Sequence, residues 1–331
     1  MADGNLGPRE RRKRLIMGVI SLAVAIMDFR RILSRGRQGI TFSLFYGFAT
    51  LLVLLATPQL ISAQEKSLLW RIRSGPNAVY ILGSIHFLKK ENYPLKKDIE
   101  EAFERSKKLV LEIDLQTMNP EKVQQLTAQK AINRDGTTLQ QNVSAETYTL
   151  AEQKARELGI DLRPLNPLKT WFVALTLSAV KLQKLGFDPS YGVDRYLAER
   201  AKNSGKPMAG LETLEYQLGI FDQLSPRDQE LMLRETLEEM DLLEKSANRI
   251  VQAWFKGDTS LLEESLLAGM HQYPELYPKL ILERNRRWLP QIEQMIKQGG
   301  NTLIIVGAAH LVGKDGVVEL LKQRGYTVEQ L

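Results

Sequence analysis

The chain contains no cysteine, which excludes disulfide frameworks, thiolate metal sites and cysteine nucleophiles. Histidine is nearly as scarce, with three among 331 residues: His86, His271 and His310. Any imidazole chemistry must be built from those. After residue 63 there is no low-complexity stretch and no Pro/Gly-rich linker, so no boundary between two domains is visible. That body also lacks a charge excess, since it holds 36 Lys/Arg and 36 Asp/Glu. The net charge of +6 belongs to residues 1–63, which carry nine bases against three acids. A neutral body does not favour non-specific phosphate binding, so nucleic acid is not an expected partner.

The first 63 residues read as a topology signal. No charged residue occurs from Gln38 to Gln64, and the apolar heart runs from Phe42 to Ala56. Arg30, Arg31, Arg35 and Arg37 precede it, and Pro58 then breaks the run. The order of basic, apolar and small-residue regions predicts a secretory signal ending near Ala63. Ile61 stands where a small residue is usual, so an uncleaved anchor is the close alternative. Either way the basic flank stays inside, the body is extracytoplasmic, and an uncleaved segment ties it to the membrane. The shorter apolar stretch Leu15 to Met27 reads as an interfacial segment, or else translation starts at Met27 and MDFRRILSRGRQG is the basic region. The division is therefore 1–63, a basic export segment, and 64–331, the body.

Within the body, Leu68–Arg73 and Ala78–Leu82 are β-rich runs around Ser74-Gly75-Pro76-Asn77, a hairpin pattern. A helix over Leu95–Ser106 and a buried strand over Lys108–Ile113 follow. Helices are expected at Pro120–Ala131, Ala145–Leu158, Pro167–Leu185 and Gly192–Ser204, with short strands at Ile160–Leu165 and Pro207–Leu211. Residues 212–298 are helical in pattern, with breaks at Ser225-Pro226, Gly257-Asp258 and Gln272-Tyr273-Pro274. Thr302–Val306 is a strand run, a helix runs from about Asp315 to Arg324, and Tyr326–Val328 closes as a strand. The expected fold is α/β. Its central sheet is built from two similar strand–Gly-x-x-His–helix–strand halves, Val79–His86 and Leu303–His310 opening them, with a large helical insertion.

Two of the three histidines close a Gly-x-x-His at a strand end, a coincidence with a chance of about 1.5%. Glycine there permits a sharp turn and a close backbone approach. The histidine then stands at the carboxyl end of a strand, where open α/β sheets place ligands. A backbone-satisfied buried histidine is the plainer explanation for one motif alone; the pair favours a shared site. Glu112 interrupts a buried strand, where a carboxylate needs a partner, a metal or a neutral form. A solvent-facing strand end is its alternative. His86, Glu112 and His310 make a two-histidine, one-carboxylate set, suited to a divalent metal (Mn, Co or Zn) or to metal-free acid–base catalysis. Arg284 or Asn285 could orient a carboxylate or polarise a carbonyl. Glu212 and Asp194 each have a helix-start explanation, and His271 reads as a loop residue.

Those motifs, GSIH at 83–86, LVLEID around Glu112, GLET at 210–213, ERN at 283–285 and GAAH at 307–310, resemble the TraB/GumN family, which is similar to the Tiki group of membrane-tethered metalloproteases. The resemblance covers about residues 67–331. It implies an α/β core whose site is His86, Glu112 and His310, supported by Arg284 and Asn285. The expectation is an exported, metal-dependent hydrolase of a peptide or other small exported substrate. A non-catalytic protein that sequesters a peptide or haem is the competing reading.

Overall fold

A computed structural model describes residues 66–115, 119–267, 269–270 and 275–331. The export segment expected over residues 1–63 and His271 lie outside the described residues. Among the described residues no helix is long and apolar enough to cross a membrane.

The chain opens with strands β1 (Leu69–Ser74) and β2 (Asn77–Ser84), paired antiparallel through the expected turn. Gly75 takes a φ of +58° in that turn, which costs glycine little. Helix α1 (Lys97–Arg105) leads to β3 (Lys108–Ile113). Helices α2 (Pro120–Ala131), α3 (Leu139–Asn142), α4 (Ala145–Glu157), α5 (Thr170–Lys184) and α6 (Val193–Asn203) precede β4 (Met208–Glu212). Then come α7 (Leu214–Asp222), α8 (Pro226–Glu238), α9 (Leu243–Lys256), α10 (Thr259–Leu266) and α11 (Glu283–Gln298). Strand β5 (Thr302–Gly307), helix α12 (Val317–Gln323) and strand β6 (Val328–Gln330) end the chain.

The six strands form one mixed sheet in the order β4-β3-β5-β2-β1-β6. Strand β5 lies parallel between β2 and β3, with Ser84 opposite Gly307 and Leu111 opposite Ile305. The three strands that carry the candidate residues are thus adjacent and end on one side. All six residues of β5 are buried, as its unbroken apolar run requires. Helix α5 is buried on nearly every face, and α8 packs against it. Ser225 and Asp258 cap α8 and α10 by accepting from Asp228 N and Leu261 N.

Two local expectations fail. Residues 160–165 form no strand. Asp161 Oδ1 accepts from Arg163 N (3.0 Å) and Pro164 follows, so the segment closes into a 3₁₀ turn at Arg163–Leu165. The last strand lies two residues later than expected, because Gly325 and Tyr326 still close α12 by bonding Lys322 O and Leu321 O.

Candidate functional site

His86 follows β2 in a loop stitched to the segment before α6. Asp188 N donates to Leu88 O (2.9 Å), Val193 N to Ile85 O (3.0 Å), and Tyr93 Oη to Tyr191 O (2.6 Å). Gly192 makes this approach possible: a Cβ there would lie 2.5 Å from His86 O. The seam brings Asp194, in the first turn of α6, to His86, with Nδ1 and Oδ1 3.0 Å apart. Asp194 is therefore more than a helix-start acid. It holds the proton on Nδ1 and leaves His86 Nε2, which is buried and has no hydrogen-bond partner among the described residues. Burial alone would lower the His86 pKa, but Asp194, and then Glu112, outweigh it and raise the value above 6.5.

His310 has the opposite environment. Its Nδ1 lies 2.7 Å from Asn285 Oδ1 and its Nε2 lies 2.8 Å from Arg284 Nη1. Arginine can only donate, so Nε2 accepts and Nδ1 carries the proton. Burial, then Arg284, then His86 push the His310 pKa well below 6.5. The ring packs against Trp288 with centroids 4.5 Å apart. His310 is thus a neutral, doubly anchored imidazole, while His86 is the one poised to titrate.

Glu112 is buried rather than solvent-facing. Its Oε1 accepts from Gly307 N (2.7 Å), and its Oε2 from Gln217 Nε2 (3.0 Å) and Arg284 Nη2 (2.6 Å). Three donors on one carboxylate hold it as an acceptor. Arg284 is fully buried beneath it. Its Nε and Nη2 grip Glu212, and Nη1 also donates to Leu280 O in the π-helical turn Pro278–Leu282 that runs into α11. Glu212 ends β4 and also accepts from Trp288 Nε1 (2.9 Å) and Gln217 Nε2 (2.7 Å). It is a buried counter-charge to Arg284, not the start of a helix.

The structure brings His86, Glu112 and His310 together around Gly307. A Cβ on that glycine would lie 3.2 Å from Glu112 Oε1, 3.5 Å from His86 Nε2 and 3.7 Å from His310 Cδ2. Gly307 has an ordinary φ of −54°, so the motif needs glycine for space rather than for a turn. Every N–H of Arg284 is already spent on Glu112, Glu212, Leu280 and His310. Asn285 Nδ2 likewise donates to His310 O and Asp315 O. Both residues orient their neighbours, and neither has a donor left to polarise a carbonyl. The sequence pattern gives Asp194 only a helix-start role and assigns Gln217 and Trp288 no place in the site. Of these, only Asp194 carried a signal, an acid just after a glycine at a helix start.

A metal would find two donor atoms with capacity here, His86 Nε2 and Glu112 Oε1. The third expected ligand atom, His310 Nε2, is taken by a guanidinium. Among the described residues no group of three His, Asp or Glu side chains is arranged to hold a metal ion. The two-histidine, one-carboxylate ligand set expected from the sequence does not fit this arrangement.

Comparison with known proteins follows the same span. A model of the TraB/PrgY/gumN family matches residues 68–330. The uncharacterized protein YbaP of Escherichia coli (strain K12) is 26% identical over 248 residues, covering 75% of this chain and 89% of that protein. YbaP of Shigella flexneri is 26% identical over 243 residues, 73% and 87% of the two chains. An uncharacterized protein of Treponema pallidum (strain Nichols) is 20% identical over 291 residues, 81% and 84%. No solved structure matches significantly.

Proposed function

Because the chain belongs to the TraB/PrgY/gumN family, we propose that its two Gly-x-x-His stretches act as two halves of one hydrolytic site, in an exported protein that cleaves peptide bonds. The observation that carries this reading is His86 Nε2, buried and without a hydrogen-bond partner among the described residues, with Nδ1 fixed by Asp194 and with Glu112 and His310 gathered beside it at the bare Cα of Gly307. A water drawn to His86 Nε2 gives that atom its proton as its oxygen attacks the scissile carbonyl. His86 returns the proton to the departing amine. Asp194 stabilises the imidazolium formed on the way. Glu112 supplies negative charge beside it, and Arg284 keeps that charge in place. His310 and Asn285 tie Arg284 to the end of β5. A free, titratable base supports turnover over sequestration.

The test is a mixed peptide library incubated with the full chain and read by mass spectrometry. Wild type should cleave it. His86→Ala should be silent, and Asp194→Asn should lose about 10²-fold or more in kcat with little change in KM. Chelation and elemental analysis of the same preparation decide the role of metal. Activity that survives chelator supports the acid–base reading, and activity that follows bound metal in proportion removes it.

A further inference from the structure

A cavity of about 230 Å³ opens beyond the carboxyl ends of β3 and β4, next to the site but outside the hydrogen-bonded cluster. Ile113, Val123, Leu126 and Leu214 give it an apolar part, and the rest of its wall is polar, with Asp114, Asn119, Glu212 and Thr213 in it. Glu212 is also the carboxylate gripping Arg284, so a single side chain separates the cavity from the cluster around Glu112. At its rim Lys122 Nζ lies 3.7 Å from Glu215 Oε1, and both side chains are largely exposed. Such a pair contributes little and parts at little cost.

We infer that this cavity is a specificity subsite for one large apolar side chain of a peptide substrate, an assignment that takes the peptide class from the hydrolase reading above. The volume is the first argument. Sites for whole drug-sized ligands run from about 300 to 1,000 Å³. This one is smaller and suits one side chain while the rest of the ligand stays outside. The lining is the second argument. The aliphatic part of the wall recovers the transfer free energy of an apolar group, and the polar part matches the peptide backbone leaving the mouth. Position is the third. The cavity lies at the ends of β3, which carries Glu112, and of β4, and its wall residue Glu212 grips the same Arg284 that holds Glu112.

The test uses the full chain and two small probes, N-acetylphenylalaninamide and N-acetylglycinamide, with binding followed by NMR line shifts. Wild type should bind the phenylalanine probe and not the glycine one. Leu126→Trp fills the cavity from half-buried α2 and should weaken phenylalanine-probe binding about tenfold or more. Val123→Trp does the same from the next turn and serves if the first variant is unfolded by circular dichroism. His86→Ala should leave probe binding unchanged. Equal binding of the two probes, or unchanged binding in a folded Trp variant, overturns the subsite. Discriminating probe binding without any peptide cleavage would keep the subsite and remove the hydrolase.

Discussion

At the scale of single residues, the cluster gives two histidines opposite charge preferences a few ångströms apart. Asp194 raises the pKa of His86, against its burial, while burial and Arg284 lower that of His310. The linkage signs follow. A raised folded pKa gives His86 a stabilising contribution that is full below pH 6.5 and lost as pH rises through the folded value. A lowered one gives His310 a contribution present above pH 6.5 and lost as pH falls toward the folded value. Denaturant unfolding across pH should therefore show these two limbs, with His86→Gln removing the upper one and His310→Gln the lower. If both limbs survive both substitutions, the assignment fails. Arg284 couples the two rings. Arg284→Met should cost about 3–5 kcal/mol, because it strands two buried carboxylates. Gly307→Ala is the sharper probe of chemistry. Its φ is ordinary, so the fold should survive, yet the new methyl would sit 3.2 Å from Glu112 Oε1 and 3.5 Å from His86 Nε2. Retained peptidase activity in this variant would count against a water or substrate atom sitting there.

At the scale of elements, the placement of the site depends on two close approaches. One is β5 wedged between β2 and β3, which aligns both Gly-x-x-His stretches. The other is the seam between the His86 loop and the start of α6. Gly192→Ala would push a methyl against His86 O and should cost about 1–3 kcal/mol in chemical denaturation. Ser225→Ala, a cap far from the seam, should cost about 1 kcal/mol and leave the His86 titration untouched. An equal effect of both on His86 would show that the seam has no special role. The elements themselves were largely legible, since the runs of β2, β3 and β5 and the caps Ser225 and Asp258 are written in local pattern. Glu112 was legible too, because a lone carboxylate in KLVLEI has to be satisfied by something. What could not be read was pairing across distance. Nothing near Asp194 in the chain says that it faces a residue 108 positions earlier, and nothing near Glu212 says that Arg284 lies against it. The π-helical turn before α11 was hidden for the same reason, because it depends on how Leu280 and Arg284 pack rather than on a propensity.

At the scale of the whole molecule, charge is divided sharply along the chain. Residues 64–331 balance 36 bases with 36 acids, so a protein of that span should bind DNA negligibly at physiological salt; tight, salt-sensitive binding would contradict the charge argument. The remaining excess of six positive charges lies wholly ahead of Gln64, flanking an uncharged run long enough to cross a bilayer. Basic flanks are retained on the cytoplasmic side, so the body should be carried outward whether or not the segment is cleaved. Reporter fusions test this without knowledge of the substrate. A reporter that works only outside the cytoplasm should be active when fused after Lys66 and inactive when fused after Phe29, because the second fusion lacks the apolar run from Phe42 to Ala56. Cleavage is read from the same fusion, since a processed product is shorter and leaves the membrane fraction. An inactive reporter after Lys66 would place His86 and its neighbours inside the cell, and the exported peptide would then have to be replaced by a cytoplasmic substrate even if every distance in the site stood unchanged.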